Sequence, residues 1–312
     1  GKEVIQDEDY GITVTAKDNT EKIRPVQVRQ ELKHTETCSP KEITAVRSVV
    51  ASLAWVARQV RPTLSYRVSR LQTVAGKATG KDVKETNEAL QYALDTSTEG
   101  IYFKPGAFTW ENMVIGTIAD ASFANDKVLI GDDYEGDRSQ QGYINVLCEP
   151  DIINAQEAVI HPISWSSTTI VRACRSTLVA ETFSMIKGTK AGTRLRAAVV
   201  DCMGKLDLKN WEESAAKVMG HVWFTDCDSL YEHLVSGKMN PIENKRLRID
   251  MMALRQQIWE RGGERTGTVD HSCGDYPRWI DTSTMLADPL TKAMKSDRLD
   301  ACLKTGVFDM KP

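Results

Sequence analysis

The sequence lacks paired cysteines: its seven, at positions 38, 148, 174, 202, 227, 273 and 302, form no CxxC. That argues against a disulfide framework and a zinc ribbon, and it fits a reducing, intracellular setting, cytoplasmic or nuclear. No apolar run approaches the ~18–20 residues of a bilayer span, so no membrane partner is expected. The first residues, GKEVIQDEDYG, are polar and acidic and do not read as a secretory signal. There is no internal repeat and no low-complexity tract. A dominant charge is missing too: 40 Lys and Arg against 43 Asp and Glu give a net charge of −3, so the balance does not announce a nucleic-acid binder. What is present is ordinary globular material. The 312 residues are 41% hydrophobic and 27% charged, which excludes a wholly disordered chain and allows two domains at ~150 residues each.

The chain divides by texture. Residues 1–40 are polar and read as a flexible lead-in. Ser39-Pro40 then opens a helix, with Val46, Val49, Val50, Leu53, Val56 and Val60 in one apolar stripe. A short helix carrying Leu64, Val68 and Leu71 follows Pro62, and a third is predicted over roughly 82–96. Arg47, Arg58, Arg61, Arg67, Arg70, Lys77 and Lys81 fall in this region, and no Asp or Glu lies between 47 and 81. Such a run is either a phosphate-tracking surface or a solvated face whose partners lie elsewhere. Beyond about residue 98 strands dominate: 101–103, 113–123, 142–147, 163–165, 222–225 and 266–269. Residues 125–139 and 149–162 read as loops. Helices are expected from Ser176, over 229–235, over 245–261, and from about Ser283. The order is that of a mixed α/β layer fold.

Four acidic residues stand where chemistry is expected. Asp120 ends the apolar run IGTIAD. Glu181 lies one turn into a helix, between Leu178 and Met185. Asp226 ends VWFTD, and Asp288 lies in MLADPLTK, in the first turn of the last helix. A carboxylate at the edge of a buried face is costly unless paired or bound to metal. Were all four to converge, a pair of hard divalent cations would satisfy them, with Mg²⁺ the usual choice for phosphate chemistry and Mn²⁺ an alternative. Taken singly, Asp120 also fits a turn, Asp226 a helix cap and Asp288 a macrodipole partner.

The same residues carry a family resemblance. SLAWVARQVRPTLSYRVSRLQ (52–72) and ETNEALQYALDTSTEGIYF (85–103) resemble the end of the reverse transcriptase in the Pol polyprotein of copia-type LTR retrotransposons. IADASFAND, SQQGYINVL, PISWSSTTIVRACRSTLVAETFSM, VWFTDCDSLYEHLVSGKMNP, KRLRIDMMALRQQI and TSTMLADPLTKAM resemble, in order, the segments of its ribonuclease H domain. Val179 and Arg248 depart from the family pattern, where Glu and His are usual. The resemblance implies a ribonuclease H-like α/β fold over 106–312, a five-stranded mixed sheet flanked by helices. Before it, 41–105 would be a helical thumb or connection remnant of the reverse transcriptase. The paired aspartates of a polymerase are absent, so the chain is not a complete polymerase.

The resemblance further implies that Asp120, Glu181, Asp226 and Asp288 bind two Mg²⁺ ions and cleave the RNA strand of an RNA–DNA hybrid. Asp120 and Asp226 would end neighbouring central strands. His271, in the loop before the Asp288 helix, is a candidate for product release. Ser122, Arg175, Ser176, Thr177, Lys245, Arg246 and Arg248 are candidate contacts to nucleic acid, with Arg58, Arg61, Arg67 and Arg70 from the basic run. A reverse transcriptase polymerase domain is the expected protein partner. Two alternatives stay open: an inactive hybrid-binding remnant, and another DNA nuclease on the same fold.

Overall fold

The computed structural model describes residues 1–130, 133–238, 241–261 and 273–312, with the backbone alone for 125–130, 133–137 and 260–261. The expected strand at 266–269 lies outside the described residues. The chain forms two compact units, Gly1–Pro105 and Gly106–Pro312.

The first unit opens with a hairpin of β1 (Glu3–Gln6) and β2 (Ile12–Thr15), followed by α1 (Lys17–Glu21). Then come α2 (Pro40–Gln59), α3 (Ser65–Val74), α4 (Gly80–Asp95) and β3 (Ile101–Phe103), which pairs antiparallel with β2. Both long helices begin at capping boxes, Ser39 with Glu42 and Thr79 with Asp82. Each box satisfies two otherwise orphaned N–H groups. The valine stripe of α2 packs with Leu64, Val68, Leu71, Val83 and Leu90 into one core.

Residues 1–40 are therefore not a flexible lead-in. Besides the hairpin, the irregular stretch after α1 is held by polar contacts: the Asn87 side chain accepts from the Val26 N–H at 2.8 Å and donates to its carbonyl at 3.0 Å. The Arg29 guanidinium pairs with Glu42 at 2.7 Å. Contacts of this kind span up to 61 positions and leave no local pattern.

The basic run also resolves residue by residue. Arg61 is buried, donates to the Thr96 carbonyl and hydroxyl, and pairs with Glu99 at 3.2 Å. It is an internal tie and offers nothing to a ligand. Arg67 lies over the Tyr92 ring at 4.8 Å, Arg70 is half-buried, and Arg58 is exposed.

The second unit is an α/β layer fold. A long antiparallel meander of β4 (Val114–Ile130), β5 (Asp133–Cys148) and β6 (Glu157–Thr169) leads to α5 (Thr177–Cys202) and α6 (Trp211–Val218). Then follow β7 (Gly220–Thr225), α7 (Asp228–Val235), α8 (Lys245–Arg261), β8 (Gly274–Trp279), α9 (Asp297–Thr305) and β9 (Val307–Asp309). The sheet order is β8-β7-β4-β5-β6-β9, with β7 parallel to both β4 and β8. The five-stranded mixed sheet is present, and β9 adds a sixth strand against the start of β6.

Three boundaries differ from expectation. Within the region read as a loop at 125–139, residues 125–130 continue β4 and 133–139 belong to β5, set off by a register shift between Ser122 and Asp126 and by a positive φ at Ala124. β6 begins at Glu157, inside the second expected loop. The helix expected from Ser283 is instead a pair of 3-10 turns, Thr282–Thr284 and Asp288–Leu290, and α9 starts only at Asp297.

A polar chain, fully buried but for its Ser164 end, crosses the sheet beneath α5. Arg196 pairs with Asp275 at 3.3 Å, and His221 Nδ1 lies 3.4 Å from the same carboxylate. His221 Nε2 is 2.7 Å from Thr117 Oγ1, which donates to Asn145 at 2.5 Å, and Asn145 donates to Ser164 at 3.2 Å. Burial holds the His221 imidazole below its usual pKa and therefore neutral. Gly192 permits the close packing: a Cβ there would meet His221 and Thr117 at 2.6 Å.

Two nearby arginines of one sequence run give a sharp contrast. Arg61→Ala removes the buried guanidinium that joins the Thr96 carbonyl and hydroxyl to Glu99, and should destabilise the chain by about 2–4 kcal/mol in denaturant unfolding. Arg58→Ala should stay within about 0.5 kcal/mol. Equal effects would contradict the internal role of Arg61.

Candidate active site: an acidic cluster on the mixed sheet

Three elements deliver the carboxylates. Asp120 lies within β4, Asp226 follows the last residue of the neighbouring β7, and Glu181 stands in the second turn of α5. α5 begins where Ser176 caps it, its hydroxyl accepting from the Val179 N–H at 3.3 Å. It is then locked to the meander by Ser184, which donates to the carbonyls of Asp120 (2.7 Å) and Gly142 (2.9 Å). Carboxylate oxygens of Asp120, Glu181 and Asp226 all lie within 4.8 Å of one another. Asp120 is 3% exposed and Glu181 5%.

Asp288 reaches the same place from the second 3-10 turn. Gly142 lets that turn come close, since a Cβ there would meet Leu290 at 2.7 Å. Asp288 is not one of the three clustered residues; its carboxylate pairs with Lys292 at 2.7 Å. It is close enough to act electrostatically on both Asp120 and Asp226. Asp120 thus sits inside a continuing strand rather than at its end, and Asp288 lies in a 3-10 turn rather than in the last helix. Asp120, Glu181 and Asp226 nevertheless meet at one site, with Asp288 near enough to act on two of them.

The electrostatics are those of crowded acids out of water. Burial first, then the Asp288 charge, push the Asp120 carboxyl up to about 7, against the pull of Lys292 and of the Thr291 hydroxyl, which donates to it. Burial and the neighbouring Asp120 raise Glu181 well above the usual carboxylate range. Burial also raises Asp226, opposed by a hydrogen bond from Thr282. Burial lowers Lys292, but the carboxylates of Asp120 and Asp288 outweigh it and hold its ammonium above the ordinary lysine value. Among the described residues, Glu181 Oε2 is buried without a hydrogen-bond partner. Hard oxygen donors converging in this way, one of them unpaired, suit a divalent cation such as Mg²⁺ or Mn²⁺.

The other expected residues separate into groups. Arg175 and Arg246, 71 positions apart in sequence, line one pocket of about 440 Å³ with Arg172, Asn244, Phe183 and Leu247. Thr177, Lys245 and Arg248 are exposed beside it in sequence, on the first turns of α5 and α8. Ser122 is covered, at 3% exposure, and its hydroxyl has no partner among the described residues, so it is no open contact. His271 lies outside the described residues. Asp228 is the exposed first residue of α7, one position after its N-cap Cys227.

Sequence reasoning missed Thr291, Lys292 and Trp279. The indole N–H of Trp279 donates to the Asp226 carbonyl at 3.3 Å. Lys292 had a usable signal: it stands four residues after Asp288, the spacing of an ion pair on one helical face.

No family model and no curated protein matches the chain. Among solved structures it is similar to the N-terminal RNase H domain of a Mycobacterium tuberculosis protein, solved as a fusion with maltose-binding protein. The identity is 14%, the match covers 62% of this chain and 98% of that one, and the TM-score is 0.31. It is similar also to LC11-RNase H1, isolated from compost by a metagenomic approach, with 14% identity, 58% and 93% coverage and a TM-score of 0.33. The same enzyme in complex with an RNA/DNA hybrid aligns at 12% identity, 57% and 93% coverage and a TM-score of 0.30.

The raised carboxyls fix a sign for metal-free stability. Folded Asp120 keeps its proton to about pH 7, whereas an unfolded aspartate loses it near pH 3.9. Between those values the folded state binds more protons, so this contribution to stability is full below about pH 4 and lost as pH rises through 7. In chelator, the thermal midpoint of the wild type relative to Asp120→Asn should fall from about pH 5 to pH 8. A difference that is flat or rises with pH would contradict the buried, crowded site.

Proposed function

We propose that the second unit is a divalent-metal-dependent ribonuclease H that cleaves the RNA strand of RNA–DNA hybrids, as part of a copia-type Pol polyprotein. The observation that carries this reading is the meeting of Asp120, Glu181 and Asp226 within 4.8 Å, with Asp288 beside them. Nothing in a structural role calls for three clustered acids on the sheet, one of them with a buried oxygen that has no hydrogen-bond partner among the described residues, and their mutual repulsion opposes folding. A hard cation reverses the sign of that interaction. Bound there, two Mg²⁺ ions would supply a water-derived nucleophile and stabilise charge on the scissile phosphate and its leaving oxygen.

The chain's own residues do the rest. Asp120, Glu181 and Asp226 hold the cations, and Asp288 is the fourth carboxylate. The Thr291 hydroxyl fixes one oxygen of Asp120 and so limits rotation of its carboxylate. Lys292 tempers the local negative charge, which otherwise repels an approaching phosphate. The pocket of Arg172, Arg175 and Arg246 at the start of α5 offers guanidinium donors to a backbone phosphate. Discrimination for RNA in one strand rests on 2′-hydroxyls, presented in the wide minor groove of the hybrid. A reverse transcriptase polymerase domain is the proposed working partner, and a reducing cellular interior the proposed setting.

The test is incubation with a labelled hybrid, with and without Mg²⁺, beside RNA and DNA duplexes of the same sequence. The wild type should cut only the RNA strand of the hybrid, and only with metal. Asp226→Asn should lower cleavage by about two orders of magnitude or more, roughly 3 kcal/mol of transition-state stabilisation. Asp228→Asn, two residues on, should retain most activity. Cutting of DNA duplex would favour another nuclease on this fold. A wild type inert on every substrate while it still binds hybrid would favour an inactive remnant.

A further inference from the structure

α5 carries a second feature that the acidic site does not use. From residue 182 to residue 200 the helix has no Asp or Glu, but it has Lys187, Lys190, Arg194 and Arg196. Arg196 turns inward to Asp275. The other three follow the i, i+3, i+7 spacing and so share one face. Lys190 and Arg194 are exposed and Lys187 is half-exposed. Among the described residues none of the three has a carboxylate partner, and Lys187 donates only to the Thr168 hydroxyl of β6. Neighbouring like charges at these spacings destabilise a helix by about 0.2–0.5 kcal/mol per pair. A merely solvated face in this chain is built otherwise: on α4 the exposed Lys81 and Lys84 each have a glutamate four residues on, at 3.7 Å.

We infer that Lys187, Lys190 and Arg194 form a phosphate-tracking stripe that holds an arm of a nucleic-acid duplex running away from the acidic site. This deepens the nuclease reading and rests on it for the identity of the duplex. The stripe spans about 10 Å of helix axis, roughly three steps along one strand at 3.4 Å each. It lies on the helix that carries Glu181 in its second turn and that starts two residues after Arg175, so one rigid element links the stripe to the acidic site and to the edge of the pocket. The small Ala191 and Ala198 on the same face leave the cations standing clear of bulky neighbours. Thr168 on β6, whose hydroxyl accepts from Lys187, and Ser166, two positions before it on the same strand face, are half-exposed residues whose hydroxyls are of the neutral kind suited to phosphate oxygens. An acidic protein would meet the same charges, but that hydroxyl row and the continuity with the pocket favour a nucleic-acid backbone.

The experiment compares wild type, Lys190→Gln/Arg194→Gln, the triple variant adding Lys187→Gln, and a control, Lys217→Gln/Lys311→Gln. The control removes the same charge from lysines already paired with Glu213 (3.3 Å) and Glu157 (3.6 Å). Binding to hybrid and to DNA duplex is measured across a salt series, and cleavage across hybrid concentration. The double variant should lower the salt slope by about two, on either duplex, and the triple variant by about three. KM should rise at least about fivefold, with kcat within about twofold. The control should match the wild type. An unchanged salt slope, an equal fall in the control, or a fall in kcat alone would each overturn the stripe. A wild type that binds duplex through the stripe but cuts nothing would refute the nuclease reading and leave the stripe standing.

Discussion

The burial of Asp120 and Glu181 against one another is the constraint around which the second unit is organised. Two acids 3% and 5% exposed, with Asp226 within 4.8 Å of both, repel across a medium that screens them poorly. The fold answers in part: the Thr291 hydroxyl holds Asp120, and Lys292 holds Asp288. The remainder is an unpaired oxygen on Glu181 and carboxyls with raised proton affinity. A structure keeps such a site only if the surrounding packing is strong enough to impose it.

That strength comes from α5. Its sheet-facing side carries small or hydrogen-bonding residues in succession: Ser184 binds two strand carbonyls, Gly192 sits against His221, and Arg196 anchors the buried polar chain through Asp275. Every buried polar group moved out of register would lose its partner, so the helix cannot slide without large loss. The position of Glu181 is thereby set by contacts as far as fifteen residues down the helix. The outward side of the same helix has the unpaired cations. One element thus joins the acids to the proposed backbone-binding surface.

Much of the site was legible in the sequence, because each acid sits in a local pattern that survives folding. IGTIAD gives a buried strand, VWFTD gives its neighbour, and Ser176 announces the start of the helix that carries Glu181. Strand alternation alone would put Asp228 on the same side as Asp226; what separates them is that the chain turns into α7 there, with Asp228 exposed as its first residue. What local pattern cannot carry was missed. Arg61 looks like its neighbours in a basic run, yet its partners Thr96 and Glu99 lie 35 and 38 residues away. The lead-in seemed flexible because its hairpin exposes Val4 and Ile5 and its remaining ties are polar and long-range. The extension of β4 over 125–130 and of β5 over 133–139 does not show as strand in the sequence, since a two-stranded ribbon needs no apolar face to pair its backbone.

The central claim is that the clustered acids are held ready for a divalent cation. Its most direct test is thermal unfolding at about pH 8, where the carboxyls are driven to ionise, with Mg²⁺ or Mn²⁺ titrated against a chelator baseline. The account predicts a midpoint that rises with cation concentration and saturates, and a clearly smaller rise in Glu181→Gln, which also unfolds at a higher temperature than the wild type without metal. A wild-type midpoint indifferent to either ion, or an equal rise in Glu181→Gln, would contradict it.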